Sequence, residues 1–83
     1  MCELYWLDLL KGLARIDQQI AQAWSRIMNE ARTISRRAAE GQDTGAAERR
    51  LQTTEEMLAL LERQRQDVLG RLERSGQSSA APR

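Results

Sequence analysis

One internal cluster of helix-breaking residues constrains the fold of this chain more than any other feature. The cluster spans residues 40–45 (Glu-Gly-Gln-Asp-Thr-Gly), and the only proline is Pro82. On both sides of the cluster Ala, Leu, Glu, Gln and Arg predominate, and these residues lose little side-chain entropy in a helix. Gly41 is suited to end a first helix, and Asp43 or Thr44 can cap a second.

This distribution predicts an all-α antiparallel two-helix hairpin, coiled-coil-like, in residues 1–74. A core of this size gives only ~3–5 kcal/mol without help from a disulfide, a metal or a partner. We expect a helix over residues 3–39, a turn over 40–45, a second helix over 46–74 and a disordered polar tail over 75–83.

Apolar residues recur every 3.5 positions in both predicted helices, as in a left-handed coiled coil. We expect these positions to form the seam between the helices. The seam stripe of the first helix contains Trp6, Leu10, Leu13, Asp17, Ile20, Trp24, Ile27, Ala31, Ile34 and Ala38, and that of the second contains Leu51, Thr54, Leu58, Leu61, Arg65, Val68 and Leu72.

Two charged residues interrupt these stripes and suggest a register for the hairpin. Placing Asp17 opposite Arg65 lets them pair across the seam, although desolvation offsets much of the attraction. In the alternative arrangement both charges turn outward, and Ile16 and Leu69 fill the seam.

The same register places Trp24 level with Leu58 and makes Gly12 face Gly70. Each glycine costs ~1 kcal/mol relative to alanine inside a helix. A facing pair could allow a close approach of the backbones or leave a groove for another chain. Alternatively, both glycines are neutral substitutions near frayed ends.

The apolar face is wider than one seam requires, as in a helix of a bundle. We therefore expect association, with a second hairpin or a foreign helix completing a helical bundle, although exposed apolar residues are also common. The additional apolar residues are Leu7, Leu9, Ile16 and Ala23 on the first helix and Met57, Leu60 and Leu69 on the second.

The predicted first helix is longer than the second, so its first residues would overhang. Aromatic side chains are enriched in binding hot spots, which makes this overhang a candidate partner site. Alternatively, it packs on its own dimer mate. The predicted partner-binding residues are Leu4, Tyr5, Trp6, Leu9 and Leu10.

Charge is balanced, with 13 basic and 12 acidic residues and a net charge of +1. This balance argues against general nucleic-acid or membrane binding, which needs a basic excess. The most basic zone is the turn end of the hairpin. It could contact an acidic partner or nucleic acid, but a solvated surface is the favoured interpretation. It contains Arg32, Arg36, Arg37, Arg49 and Arg50.

The residues for catalysis are missing from the sequence. There is no histidine, no metal-ligand spacing, no glycine-rich phosphate loop and no catalytic triad, and Cys2 is the only cysteine. We expect no catalytic residue, no metal, no cofactor, no small-molecule substrate and no membrane span. The predicted function is a soluble, cytoplasmic, non-catalytic protein–protein interaction module, such as an adaptor, co-chaperone or regulatory subunit. The alternative is a nucleic-acid-binding or transcription-regulating helical protein.

Two families share short features with the chain. The basic run at 36–41 (Arg-Arg-Ala-Ala-Glu-Gly), followed by an amphipathic helix, resembles the helical-hairpin co-chaperones of bacterial type III secretion needles. The tyrosine-glutamine pair common after that turn is replaced by Ala47-Glu48. Residues 10–17 (Leu-Lys-Gly-Leu-Ala-Arg-Ile-Asp) are similar to the first helix of all-helical chorismate mutases, which bind a dicarboxylate. That family's lysine further along the helix and a clear third helix are missing here, so a chorismate-mutase-like enzyme is the remote alternative.

Overall fold

The protein is an all-α antiparallel hairpin, as predicted. A computed structural model describes residues 2–80, with side chains from Tyr5 to Ser75. Helix α1 spans Cys2–Ala39 and helix α2 spans Gly45–Ala80. The two helices pack along each other in a rod of 67 × 15 × 14 Å.

The turn begins with a C-terminal cap of α1 around Gly41. Gly41 has a φ of 72°, in the left-handed region that favours glycine. The backbone N–H of Gln42 donates to the carbonyl of Arg37 at 2.8 Å, and that of Gly41 donates to Ala38 at 3.1 Å. These two bonds define a Schellman motif, and they confirm Gly41 as the predicted helix-ending residue.

Asp43 and Thr44 both help to start α2. The Asp43 carboxylate accepts a hydrogen bond from the backbone N–H of Gly45 at 3.1 Å. The carbonyl of Thr44 accepts the first helical bond, from the N–H of Glu48 at 2.9 Å. The Glu48 carboxylate also lies in the first turn, where the helix dipole favours an acid.

Helix α2 is longer than predicted and ends at Ala80 rather than at residue 74. The polar residues after position 74 include no proline before Pro82, so they can continue a helix. With 38 residues in α1 and 36 in α2, the helices are nearly equal in length. The overhang expected at the start of α1 is therefore opposed by the end of α2. Residues 81–83 of the predicted tail lie outside the described residues.

The seam stripe of α2 lies where the sequence places it. All seven of its members, from Leu51 to Leu72, are at least partly buried. Leu58 and Leu61 are buried, and together with Ala23 of α1 they form the centre of the core.

The seam stripe of α1 is only half as predicted. Leu13, Ile20, Ile27 and Ile34 are partly buried in the seam. The other members of the stripe, which apart from Trp6 form a second column of residues seven positions apart, are exposed. The residues one position before each member of this second column lie in the seam instead. The exposed column comprises Leu10, Asp17, Trp24, Ala31 and Ala38, with Trp6 exposed as well, and the column that replaces it comprises Leu9, Ile16, Ala23, Glu30 and Arg37.

Side-chain volume explains this rotation of α1. Ala23 is 4% exposed and packs with Leu58 and Leu61, whereas Trp24 is 50% exposed. An alanine at this level lets the leucines of α2 fill the narrow space between two helices. An indole ring there would force the helices apart, so Trp24 lies at the edge of the seam and not opposite Leu58.

Two ion pairs between the helices show the register. The Nε of Arg65 donates to the Oδ1 of Asp17 at 2.6 Å, which is the pair that the sequence predicts. The Nε of Arg50 donates to the Oε2 of Glu30 at 2.9 Å. The first pair lies at the rim, because the Asp17 side chain is 47% exposed and Ile16 occupies the seam beside it.

Gly12 and Gly70 do not mark a close approach of the backbones. A Cβ atom at Gly12 would meet nothing within 4 Å, and one at Gly70 would meet only the Nη1 of Arg74 at 3.4 Å. The idea that the helices need glycine here to pack closely is wrong.

Leu58→Ala and Leu60→Ala form a matched test of the seam. Leu58 is 7% exposed and Leu60 is 56% exposed. We expect L58A to lower the free energy of unfolding by roughly 2–3 kcal/mol, as removal of a buried leucine does, and L60A to change it by less than about 0.5 kcal/mol. Urea unfolding followed by circular dichroism measures both. Equal losses would contradict this packing.

Gly12→Ala and Gly41→Ala should change stability in opposite directions. G12A adds a methyl group in open space inside a helix, so we expect a gain of about 0.5–1 kcal/mol. G41A forces an L-residue to the positive φ of the cap and should lose about 1 kcal/mol. Thermal unfolding midpoints of the two variants measure this. A stabilising G41A would contradict the Schellman cap.

Candidate protein interaction faces

The hairpin has two long sides, one on either side of the seam. Residues that flank an outer position of one helix, opposite the seam, point to different sides. Two residues correspond to about 200° of rotation. Thus Trp24 and Arg26 of α1 lie on opposite sides of the seam, as do Glu55 and Met57 of α2. Each side therefore combines one stripe from α1 with one from α2.

The first side is a basic face built around an open groove. Arg26 and Asn29 of α1 line the groove together with Arg50, Thr53 and Met57 of α2. Helical spacing extends this face in steps of seven residues along both helices. It thereby adds Arg15 and Arg36, in the column of Asn29, and Leu60, in the column of Thr53.

The other side is an acidic face with an apolar stripe on α1. This stripe follows positions 7, 10, 14, 17, 21, 24, 28 and 31, and all of them are exposed. Its large members are Leu7, Leu10, Trp24 and Met28, with alanines between them. Asp17 is the only charged residue of the stripe, and Arg65 pairs with it.

Glutamates of α2 border this apolar stripe. Glu48, Glu55 and Glu62 are exposed, lie seven residues apart and share one column of α2. None of the three forms a salt bridge within the described residues. Between Tyr5 and Ser75 no Lys or Arg occupies either stripe of this face, and Arg65 reaches it only from the seam.

The predicted partner-binding residues at the start of α1 separate into two groups. Tyr5, Trp6 and Leu10 are exposed, with the aromatic side chains 50% and 40% exposed. Leu9 is 8% exposed because it belongs to the hairpin's own seam, so its assignment to a partner surface is wrong. The side chain of Leu4 lies outside the described part of the chain.

The basic turn end is partly occupied by contacts inside the hairpin. Arg50 pairs with Glu30. Arg37 is half-buried at the last level of the seam, and its Nε has no hydrogen-bond partner among the described residues. Arg32, Arg36 and Arg49 are exposed.

Periodicity alone could not identify the acidic face, since Trp24 was assigned to the seam. One signal in the sequence could have found it. The column is acidic at three successive heptad steps, 48, 55 and 62, and the positions that border it on the same side hold no basic residue. A charge pattern of this length indicates a distinct surface rather than scattered solvated residues.

Other kinds of site find no support in the described residues. No group of three or more His, Cys, Asp or Glu side chains between residues 2 and 80 is arranged to hold a metal ion. Neither α1 nor α2, as far as they are described, contains a stretch long and apolar enough to cross a bilayer. Comparison with protein families, curated proteins and solved structures finds no match to this chain.

A double-mutant cycle at Asp17 and Arg65 measures what their pair contributes. Both side chains are more than a third exposed, so we expect a coupling energy of about 0.2–1 kcal/mol that falls as salt is added. D17A, R65A and the double variant would be compared with the parent by urea unfolding. A coupling above about 2 kcal/mol would mean that the pair, rather than apolar packing, holds the register.

Proposed function

We propose that the chain is a cytoplasmic, non-catalytic interaction module that binds the helices of other protein molecules. One observation carries this proposal. The apolar stripe of α1 remains exposed along most of the hairpin, although the seam is already complete without it.

The exposed stripe has the composition of a helix-binding surface. Trp24 and Met28 lie one turn apart and are 50% and 54% exposed. Aromatic residues and methionine are enriched in the cores of interfaces. Ala21 and Ala31 flank this pair in the stripe. Full burial of a large apolar side chain contributes ~1.5–3 kcal/mol.

Docking of another helix or hairpin on this stripe would complete a helical bundle. The hairpin alone has one seam, whereas the helices of a bundle bury a wider apolar face. A small adaptor, a regulatory subunit or a co-chaperone of the type III secretion kind works in this way, by covering helices of a partner. The analogy with these co-chaperones concerns size and plan alone.

The rival functions have less support in the described residues. A nucleic-acid-binding role would depend on the turn end, where Arg50 pairs with Glu30 and Arg37 is partly buried. A duplex-DNA shift that weakens with salt would favour that rival. A chorismate-mutase-like role would be favoured by turnover of chorismate at high protein concentration.

Photo-crosslinking in the cells that express the chain tests the proposal. A benzophenone amino acid at Met28 would lie on the apolar stripe, and the same group at Arg63 would lie on the exposed outer side of α2. We expect discrete protein adducts from position 28 and few from position 63, because a docked helix covers only the stripe. Mass spectrometry identifies the adducts.

A second substitution separates docking from chance proximity. Trp24→Gln removes the largest side chain of the stripe, which is 50% exposed and does not belong to the buried core cluster, so the fold should remain. It should abolish the adducts from position 28 while helicity stays unchanged. Equal adducts from positions 28 and 63, or adducts indifferent to W24Q, would contradict the proposal.

A further inference from the structure

We propose that the helix that covers the acidic face belongs to a second copy of this chain, which docks with its basic face. This inference rests on the proposed function and names its partner. The complementary surface is on the same molecule, on the opposite side of the seam. The acidic face of one copy would therefore contact the basic face of the next.

Each face has a pair of exposed apolar residues near the middle of one helix. On the acidic face the exposed pair is Trp24 and Met28, near the middle of α1. On the basic face it is Met57 and Leu60, near the middle of α2. In each case a flexible methionine accompanies a larger or branched side chain, and methionine adapts well to irregular surfaces.

Next to the apolar pairs, the unpaired charged residues of the two faces are opposite in sign and lie on opposite helices. The acidic face has its apolar pair on α1 and its glutamates, Glu48, Glu55 and Glu62, on α2. The basic face has its apolar pair on α2 and exposed arginines, Arg15, Arg26 and Arg36, on α1. The columns of this face also contain Asp8 and Glu40 on α1 and Asp67, Arg71 and Arg74 on α2, and Arg50 pairs with Glu30. The net charge of the face remains positive.

This crossed arrangement fits one way of stacking. If the second hairpin is rotated by 180° about the normal to the contact face, its α2 lies over the α1 of the first hairpin. The apolar pairs then meet at mid-height, and the glutamates of one copy meet the arginines of the other. Such complementarity specifies orientation more than it adds affinity.

The contact joins two different surfaces, so each copy keeps one face free for the next. A heterologous contact of this kind builds rings or open stacks rather than a closed dimer. The net charge of +1 opposes growth only weakly, because repulsion between copies depends on the size of the net charge.

Charge reversal followed by mixing tests this inference. The triple variant E48K/E55K/E62K has two basic faces, and R15E/R26E/R36E has two acidic faces. Light scattering should give each variant alone the 9.5 kDa mass of a monomer, whereas the parent mass should increase with concentration. An equimolar mixture of the variants should recover the concentration-dependent mass, because each acidic face again meets a basic one.

The control adds positive charge outside both faces. Q18K/S25K/E56K changes exposed positions on the outer sides of the helices, and it should assemble as the parent does. Circular dichroism checks that every variant keeps its helicity. If a triple variant loses helicity, the single substitutions Glu55→Lys and Arg26→Glu replace it in the same mixing experiment.

The outcomes separate this inference from the proposed function. A parent that stays monomeric at every concentration, or a mixture that recovers no mass, would overturn the stacking. Adducts from position 28 to a different protein would then leave the proposed function standing with a foreign partner. Adducts that join two copies of this chain, together with recovery on mixing, would support both. If position 28 gives no adducts and the parent does not assemble, both proposals are overturned.

Discussion

The insertion of Ala23 between Leu58 and Leu61 is the contact on which the rest of the structure depends. Two helices enclose little volume between them, and a small residue at the centre allows leucines from the other helix to fill it. Once Ala23 faces inward, helical geometry determines the direction of every other side chain of α1. Trp24 is turned to the surface by the same rotation that buries Ala23.

That rotation also separates the charges of the molecule. Glutamates and an apolar stripe lie on one side of the seam, and arginines lie on the other. The ion pairs Asp17–Arg65 and Glu30–Arg50 connect the helices at different levels. A chain with a nearly neutral composition thus has two faces of opposite character.

The sequence predicts α2 better than α1, and the reason is physical. In α2 the large apolar residues Leu51, Leu58, Leu61, Val68 and Leu72 follow one stripe, and the other apolar residues are scattered over different columns, so periodicity alone finds the seam. In α1 two neighbouring columns are both mainly apolar, one with Ala23 and one with Trp24. The choice between them depends on the volume that α2 offers, which no pattern within α1 contains. The acidic face was missed for the same reason, because its central residue had been placed in the core.

The single tight turn also determines how the hairpin comes together. Contacts next to the Schellman cap join residues close in sequence, whereas those at the open end, where Leu9 is buried, close a loop of most of the chain. Loop closure costs less entropy for the contacts near the turn, so we expect the helices to pair first at Gly41 and then progressively toward the open end. The open end is then the last part to form and the first to separate, and it places Tyr5 and Trp6 where the two helices part most easily.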